Sequence, residues 1–504
     1  MRKRALSTAA VCAALVPGVL AGPALAQPPA GHRPAAVAGP TPYANQAPAA
    51  PKTAPAADFN GDGYGDVAVA APDMPGPRRT DGTPGYLTPD AGGITVVYGS
   101  AKGLRTDGAA FLNQATPGIP GDLTTGAHWG DLAGTGRLDA DAYTDLVVRT
   151  PEGYLVLWGS AAGVTGASTL VAAPTTLPTG GAPSTGVAVA DVTGDGYADI
   201  VAAGSTTRNG VRTYGVRHLA GPVDRTTGKP AATSFTGTGT LHPTVVHAGD
   251  MTGDGVAEVI AATKDPAAPA GLVLRHTATG LFPVGTALAG PGGAFGDLDQ
   301  DGYPDFVGGD GGALTGSAPR TGGTVWVTYG GPQGVSTTRP AARYTQASPG
   351  VPGTDSPYDR FGQSLAVTDT DHDGYPDVVI GAPGESPTAA GTPVHSAGAV
   401  TVLRGGPKGV TTTGARTLTQ NTAGVPSTSE AEDQFGGAVL ATDTDGDGTA
   451  EVLVGGRGED TWSGRVWVLR TGAGGLTGTG ATSLWSGALG GPTAHIHFGY
   501  RLIG

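Results

Sequence analysis

The chain has 504 residues and a formal net charge of −13, with 89 glycines, 42 prolines and few aromatics. The negative balance argues against nucleic acid and anionic membrane surfaces as partners. The single cysteine, Cys12, excludes a disulfide framework.

Arg2, Lys3 and Arg4 form a positive start, and an apolar stretch runs from Ala5 to about Leu20. Ala24-Leu25-Ala26 follows as a small-x-small cleavage pattern, so residues 1–26 are expected to be a secretory signal peptide. The apolar stretch is too short for a stable span, and no later stretch is apolar enough for one. Cys12 lies in the middle of the leader, where a lipid anchor does not fit. Residues 27–56 are rich in Ala and Pro and read as an extended linker. A secreted, extracellular chain without disulfides needs another source of cohesion, and metal ions are one.

From residue 57 onward an acidic nine-residue loop recurs. Blade-like copies run Asp58, Asn60, Asp62, Tyr64, Asp66; then Asp297, Asp299, Asp301, Tyr303, Asp305; then Asp369, Asp371, Asp373, Tyr375, Asp377; then Asp443, Asp445, Asp447, Thr449, Glu451. Two weaker copies carry Thr at the third position: Asp191, Thr193, Asp195, Tyr197, Asp199 and Asp250, Thr252, Asp254, Val256, Glu258. A seventh, between Asp131 and Asp145, can be read in two frames, neither with a full ligand set.

A short apolar run follows each loop, such as Val67-Ala68-Val69-Ala70 or Val378-Val379-Ile380. A second run enters after glycine, as in Gly93-Ile94-Thr95-Val96-Val97-Tyr98, and a third ends in a shared tail, as in Gln346-Ala347-Ser348-Pro349-Gly350-Val351-Pro352. Phe361-Gly362 and Phe435-Gly436 then open the strand that leads to the next loop. Four strands per repeat and seven loops predict an all-β, seven-bladed propeller over residues 57–504. The chain ends on Phe498-Gly499, eight positions short of a loop, whereas Asp58 has no Phe-Gly before it. The C-terminus is therefore expected to supply the first strand of the blade that contains Asp58 and so close the ring.

Phe-Gly, the acidic loop and Gly381-Ala382-Pro383 resemble the FG-GAP repeat of the integrin α-subunit propeller and its bacterial relatives. The resemblance covers nearly all of 57–504; blades 2 to 5 depart most, lacking Phe-Gly at the expected spacing. It implies seven blades, bound calcium and an extracellular binding or adhesion role.

Oxygen ligands at alternate positions, with glycine for the bend, suit a hard cation with many oxygen neighbours. Positions 1, 3, 5 and 9 offer side chains, and position 7 its carbonyl. Ca²⁺ fits better than Mg²⁺, and four to six ions are expected. An EF-hand is excluded, because its twelfth position falls on Val69 or Ile380. Simple Asp-Gly turns are the plain alternative, and they prevail for the Asp131–Asp145 loop.

No nucleophile elbow or zincin motif occurs, and no catalytic residue is assigned. Trp158, Trp326 and Trp467 read as blade packing, and His495 and His497 as a plain strand. Parity places the long connections at the end of the ring opposite the acidic loops. They carry Arg78, Arg79, Tyr86, Tyr358, Arg360, Glu385, His395 and Trp462, a candidate ligand face or simply variable surface. The leading functional expectation is a monomeric binding or adhesion module for an extracellular protein or glycan. A hydrolase or lyase, and a purely structural secreted protein, are the alternatives.

Overall fold

The computed structural model describes residues 57–77, 86–172, 186–263, 270–312, 322–389, 391–493 and 495–504. The expected leader and linker, and Arg78 and Arg79, lie outside them.

The architecture is a seven-bladed all-β propeller, each blade a four-stranded antiparallel meander. For blades 1 to 7 the first strands are Arg501–Ile503, Asp131–Gly136, Val187–Ala190, Val245–Gly249, Gly292–Gly296, Ser364–Thr368 and Ala438–Thr442. The second strands are Val67–Ala71, Asp145–Thr150, Asp199–Arg208, Glu258–Ala262, Asp305–Asp310, Asp377–Ala382 and Glu451–Gly456. In blades 2 to 7 the acidic loop joins the first strand to the second; in blade 1 it leads into the second strand, and the first comes from the C-terminus.

After the ninth loop residue, each second strand continues in an apolar run because both of its faces are covered. In blade 1, Val67 and Val69 pack against blade 7, while Ala68 and Ala70 pack against blade 2. This is the two-residue alternation of an extended strand, used here to serve two neighbours. The same division recurs in blade 6, with Val378 and Ile380 facing blade 5 and Val379 facing blade 7. The core is thus a set of interblade layers, one between each adjacent pair of blades.

Each Phe-Gly has a structural reason. Phe361, Phe435 and Phe498 are fully buried and form isolated parallel bridges with Gly323, Gly398 and Gly464, which open the third strand of the preceding blade. A Cβ on Gly398 would stand 2.2 Å from the Phe435 carbonyl oxygen, so only glycine admits the aromatic's backbone. Trp129 makes the same bridge to Gly92. Blade 2, which lacks Phe-Gly, keeps this device with tryptophan in place of phenylalanine.

The C-terminal strand closes the ring. Arg501, Leu502 and Ile503 pair antiparallel with Ala70, Val69 and Ala68. Arg501–Ile503 also packs beside the first strands of blades 7 and 2. Removing residues 498–504 strips two large buried apolar side chains, Phe498 and Leu502, from the layer between blades 7 and 1. It also exposes Val67–Ala71 as an open edge. Burial alone puts the cost at about 4 kcal/mol or more. The truncated protein is expected to melt well below the intact one and to aggregate on concentration; scanning calorimetry with light scattering checks both.

Candidate functional site

The acidic loops are shaped by their own hydrogen bonds. The first aspartate wraps the loop: Asp58 Oδ1 accepts from Gly61 N at 2.6 Å, and Oδ2 from Gly63 N at 2.9 Å. Asp191, Asp250 and Asp443 bond in the same way to both glycines of their loops. The fifth-position carboxylate accepts from the seventh amide in every loop, as Asp373 Oδ1 does from Tyr375 N at 2.9 Å. Outside blade 2, positions 4 and 6 have left-handed backbone, supplied by Gly61 and Gly63 in blade 1. In blades 5 and 6, Gln300 and His372 adopt it without being glycine.

The ninth-position carboxylate is different in kind. Asp66 is fully buried, accepting from Phe59 N at 2.8 Å through one oxygen and from Gly99 N at 2.9 Å through the other. Asp145, Asp199, Asp305 and Asp377 repeat both bonds. Glu258 and Glu451 keep the first bond and face Arg275 and Arg470 with the other oxygen. Burial pushes Asp66, Asp145 and Asp305 up to about 7, against the pull of those amides. A divalent cation would reverse that direction and hold them ionised.

Three of the loops bring acid groups from positions 1, 3 and 9 close enough to share an ion. In Asp297/Asp299/Asp305, Asp369/Asp371/Asp377 and Asp443/Asp445/Glu451, one oxygen from each residue lies within 4.8 Å of the others. Asp371 Oδ1 is buried without a hydrogen-bond partner, an orphan that a cation would satisfy. Guanidinium groups already lean on these loops from the side. Arg404 Nη1 lies 2.5 Å from Asp371 and 3.0 Å from Asp377, Arg470 Nη1 lies 2.7 Å from Asp445 and Glu451, and Arg339 contacts Asp299. They relieve part of the carboxylate repulsion that an empty loop would otherwise carry.

In blade 2 an arginine takes over altogether. The structure selects the frame Arg137–Asp145, with Arg137 where other loops have their first aspartate. Asp131 lies in the first strand, paired with Arg149 at 2.7 Å. Asp139 and Asp141 are both held by Arg225, which reaches across from blade 3. No sequence spacing pointed to Arg225, because it is 84 residues from Asp141.

At the opposite end of the ring, Tyr358, Arg360, Glu385 and His395 line one cleft of about 780 Å³, together with Asp359, Glu432 and Gln434. Gln346 Nε2 donates to Glu385 at 2.5 Å, and His395 Nδ1 meets Glu432 at 2.7 Å. Burial pushes Asp359 up to about 7, helped by Glu385 and Asp355 and opposed by the Ser356 amide. Trp462 is elsewhere, edge-on to His497, and Tyr86 is half-buried in blade 1. His495 and His497 do not form a strand; both have left-handed backbone just ahead of Phe498. His497 and His128 grip the two oxygens of Asp73 at 2.5 and 2.6 Å. Burial alone would raise Asp73, but hydrogen bonds and charge from His497 and His128 hold it below its ordinary range.

Fold and loops together define a β-propeller with acidic, cation-ready turns. Residues 51–96, 361–403 and 435–469 match the FG-GAP repeat, and residues 137–202 match an FG-GAP-like repeat. The chain is a β-propeller that carries FG-GAP repeats. No curated protein matches it. Among solved structures it is similar to the V. cholerae biofilm matrix protein Bap1, at 11% identity and a TM-score of 0.28, over 83% of this chain and 66% of that one. The match thus spans just under two thirds of that chain, and at this score it carries no functional meaning.

Two outcomes are expected. Arg225→Gln leaves Asp139 and Asp141 facing each other without a cation, and should lower stability by about 1–2 kcal/mol, a figure reduced for the exposure of the arginine. Denaturant unfolding measures it, and the bound-ion count should stay unchanged. For Asp359 the sign follows from linkage: the folded chain keeps a proton that the unfolded chain gives up near 3.8. That contribution is full below pH 3.8 and is lost as pH rises toward 7. Asp359→Asn should therefore flatten the decline of melting temperature between those limits, measured against the parent in saturating calcium.

Proposed function

We propose that this chain is a secreted, calcium-stabilised propeller acting as a binding or adhesion module. Its ligand, an extracellular protein or glycan, docks on the face opposite the acidic loops. The observation that carries this reading is the cleft at blades 5 to 7, where Tyr358, Arg360, Glu385 and His395 converge on one volume. Loops from separate blades meet there on a rigid ring, the usual placement of a binding site.

Calcium supplies cohesion. In blades 1, 5, 6 and 7 the ligands would be side chains at positions 1, 3, 5 and 9 and the carbonyl at position 7. For blade 1 that is Asp58, Asn60, Asp62, Tyr64 and Asp66. The loops beginning at Asp191 and Asp250 offer a threonine hydroxyl at position 3 and would bind more weakly. At millimolar calcium, a site with Kd near 10⁻⁴ M adds about 1.4 kcal/mol of stability. Occupancy of several loops is thus a large share of the stability of such a domain.

The test has two arms. Native mass spectrometry and calorimetry should show several bound ions, and a melting temperature that EDTA lowers and calcium restores. Glycan and peptide arrays should show calcium-dependent capture that Tyr358→Ala weakens. Unchanged melting in EDTA would remove calcium from the account. Arrays that capture nothing would remove the binding role.

A further inference from the structure

Blades 6 and 7 carry the same trio on the cleft face. In blade 7 it is Gln420, Asp433 and Glu459, all buried; in blade 6 it is Gln346, Asp359 and the half-buried Glu385. Three bonds of the scaffold recur, while the Ser427 hydroxyl that donates to Glu459 at 2.6 Å has Gly353 in its place in blade 6. Asp433 accepts from Glu430 N at 2.6 Å and Asp359 from Ser356 N at 2.7 Å. Gly458 N donates to the Asp433 carbonyl at 3.1 Å, and Gly384 N to the Asp359 carbonyl at 3.0 Å. Gln420 Nε2 and Gln346 Nε2 each donate to their glutamate at 2.5 Å. In blade 1 the corresponding residues are Ser486, Ile496 and Met74, all buried. The fold therefore does not need the acids, and blade 2 keeps the glutamine, Gln114, with Ala127 at the place of the aspartate.

Blade 7 shows what complements the trio. Arg465 Nε lies 3.5 Å from Glu459 Oε1, and its Nη2 donates to Asp460 at 2.7 Å. Arg465 follows Gly464 at the start of its third strand; the corresponding residue of blade 6, after Gly398, is Ala399. Blade 6 thus has the carboxylates of blade 7 without that guanidinium, and its pair borders the open cleft instead. Gln346 is 5% exposed, and its Oε1, beside the amide held by Glu385, has no hydrogen-bond partner. Asp359, Glu385, Glu432 and Arg360 all line the cleft, and His395 is bonded to Glu432.

We propose that the cleft receives the guanidinium or ammonium group of an arginine- or lysine-bearing ligand onto Glu385, beside Asp359, as Arg465 lies against Glu459 within blade 7. The planar fork of a guanidinium suits a carboxylate pair better than an ammonium does. The proposal rests on the cleft face being the binding surface.

The probe is Nα-acetyl-arginine amide, titrated by calorimetry against its neutral isostere, the citrulline amide, in saturating calcium. The parent should bind the arginine probe at millimolar concentration or below, and citrulline roughly tenfold more weakly or worse. Glu385→Gln should lose the arginine probe by a similar factor. Ala399→Arg, which copies blade 7, should fill the place from within and abolish binding while the melting temperature holds. Should that variant unfold, the Glu385→Gln and citrulline comparisons still decide. Equal binding of citrulline, or no binding of the arginine probe by the parent, overturns the proposal. If the probe fails while array ligands still bind and still weaken with Tyr358→Ala, only the cationic assignment falls; if neither binds, the binding-module reading falls with it.

Discussion

One buried carboxylate per blade holds the repeat together. The ninth loop residue, at Asp66, Asp145, Asp199, Glu258, Asp305, Asp377 and Glu451, accepts the second-position amide of its own loop. In the five aspartate blades its other oxygen accepts the amide of the glycine that ends the third strand, such as Gly99 or Gly405. Three strands are tied by one side chain, and the desolvation that opposes a buried carboxylate is offset by fixed backbone donors. This tie needs no acid at positions 1 or 3, so blade 2 keeps its geometry without a first aspartate, and blades 3 and 4 keep theirs without a third-position acid.

The second-position residue extends the tie between blades. Its carbonyl accepts from the third-to-fourth turn of the next blade, as Phe59 does from Ser160 and Leu298 from Gly406. The loop, the blade and the ring are therefore linked through neighbouring atoms of one short segment. The interblade layers complete this with small and branched side chains whose alternation serves two neighbours at once. A ring of this kind has no free edge only if its last strand is found, and Arg501–Ile503 is that strand.

Much of this was legible in the sequence because it is local and repeated. The nine-residue spacing, the apolar run after it and the eight-residue interval from aromatic to loop are all readable along the chain. Even the ring closure was readable, since Phe498 lacks a loop and Asp58 lacks an aromatic. What was not legible is what depends on partners from other blades. Trp129 replaces phenylalanine in the same bridge, and Arg225 replaces a cation from a blade away. His495 and His497 alternate as a strand would, but the bridge at Phe498 forces the preceding residues into left-handed backbone. The cleft was found only by parity, and Asp359 and Glu432 were not singled out, because nothing in their spacing announces them.

The arch before each Phe-Gly separates structure from function on the cleft face. Tyr358 and Arg360, Glu432 and Gln434, and His495 and His497 are all left-handed without being glycine. Each such residue costs about 1 kcal/mol or more, and it persists only because the surroundings over-determine it. The overdetermination comes from the buried aromatic and its glycine partner, which are common to blades 6, 7 and 1. The residue between the two strained positions is Asp359, Asp433 or Ile496, and Ile496 shows that the arch forms around an apolar side chain as readily as around an acid. An acid at that place therefore makes no necessary contribution to the fold, and when it is buried beside a second carboxylate it works against the fold. Blade 7 offsets that cost with Arg465. Blade 6 has Ala399 where blade 7 has Arg465, and its acids line the open cleft, where a cation of a ligand can reach them.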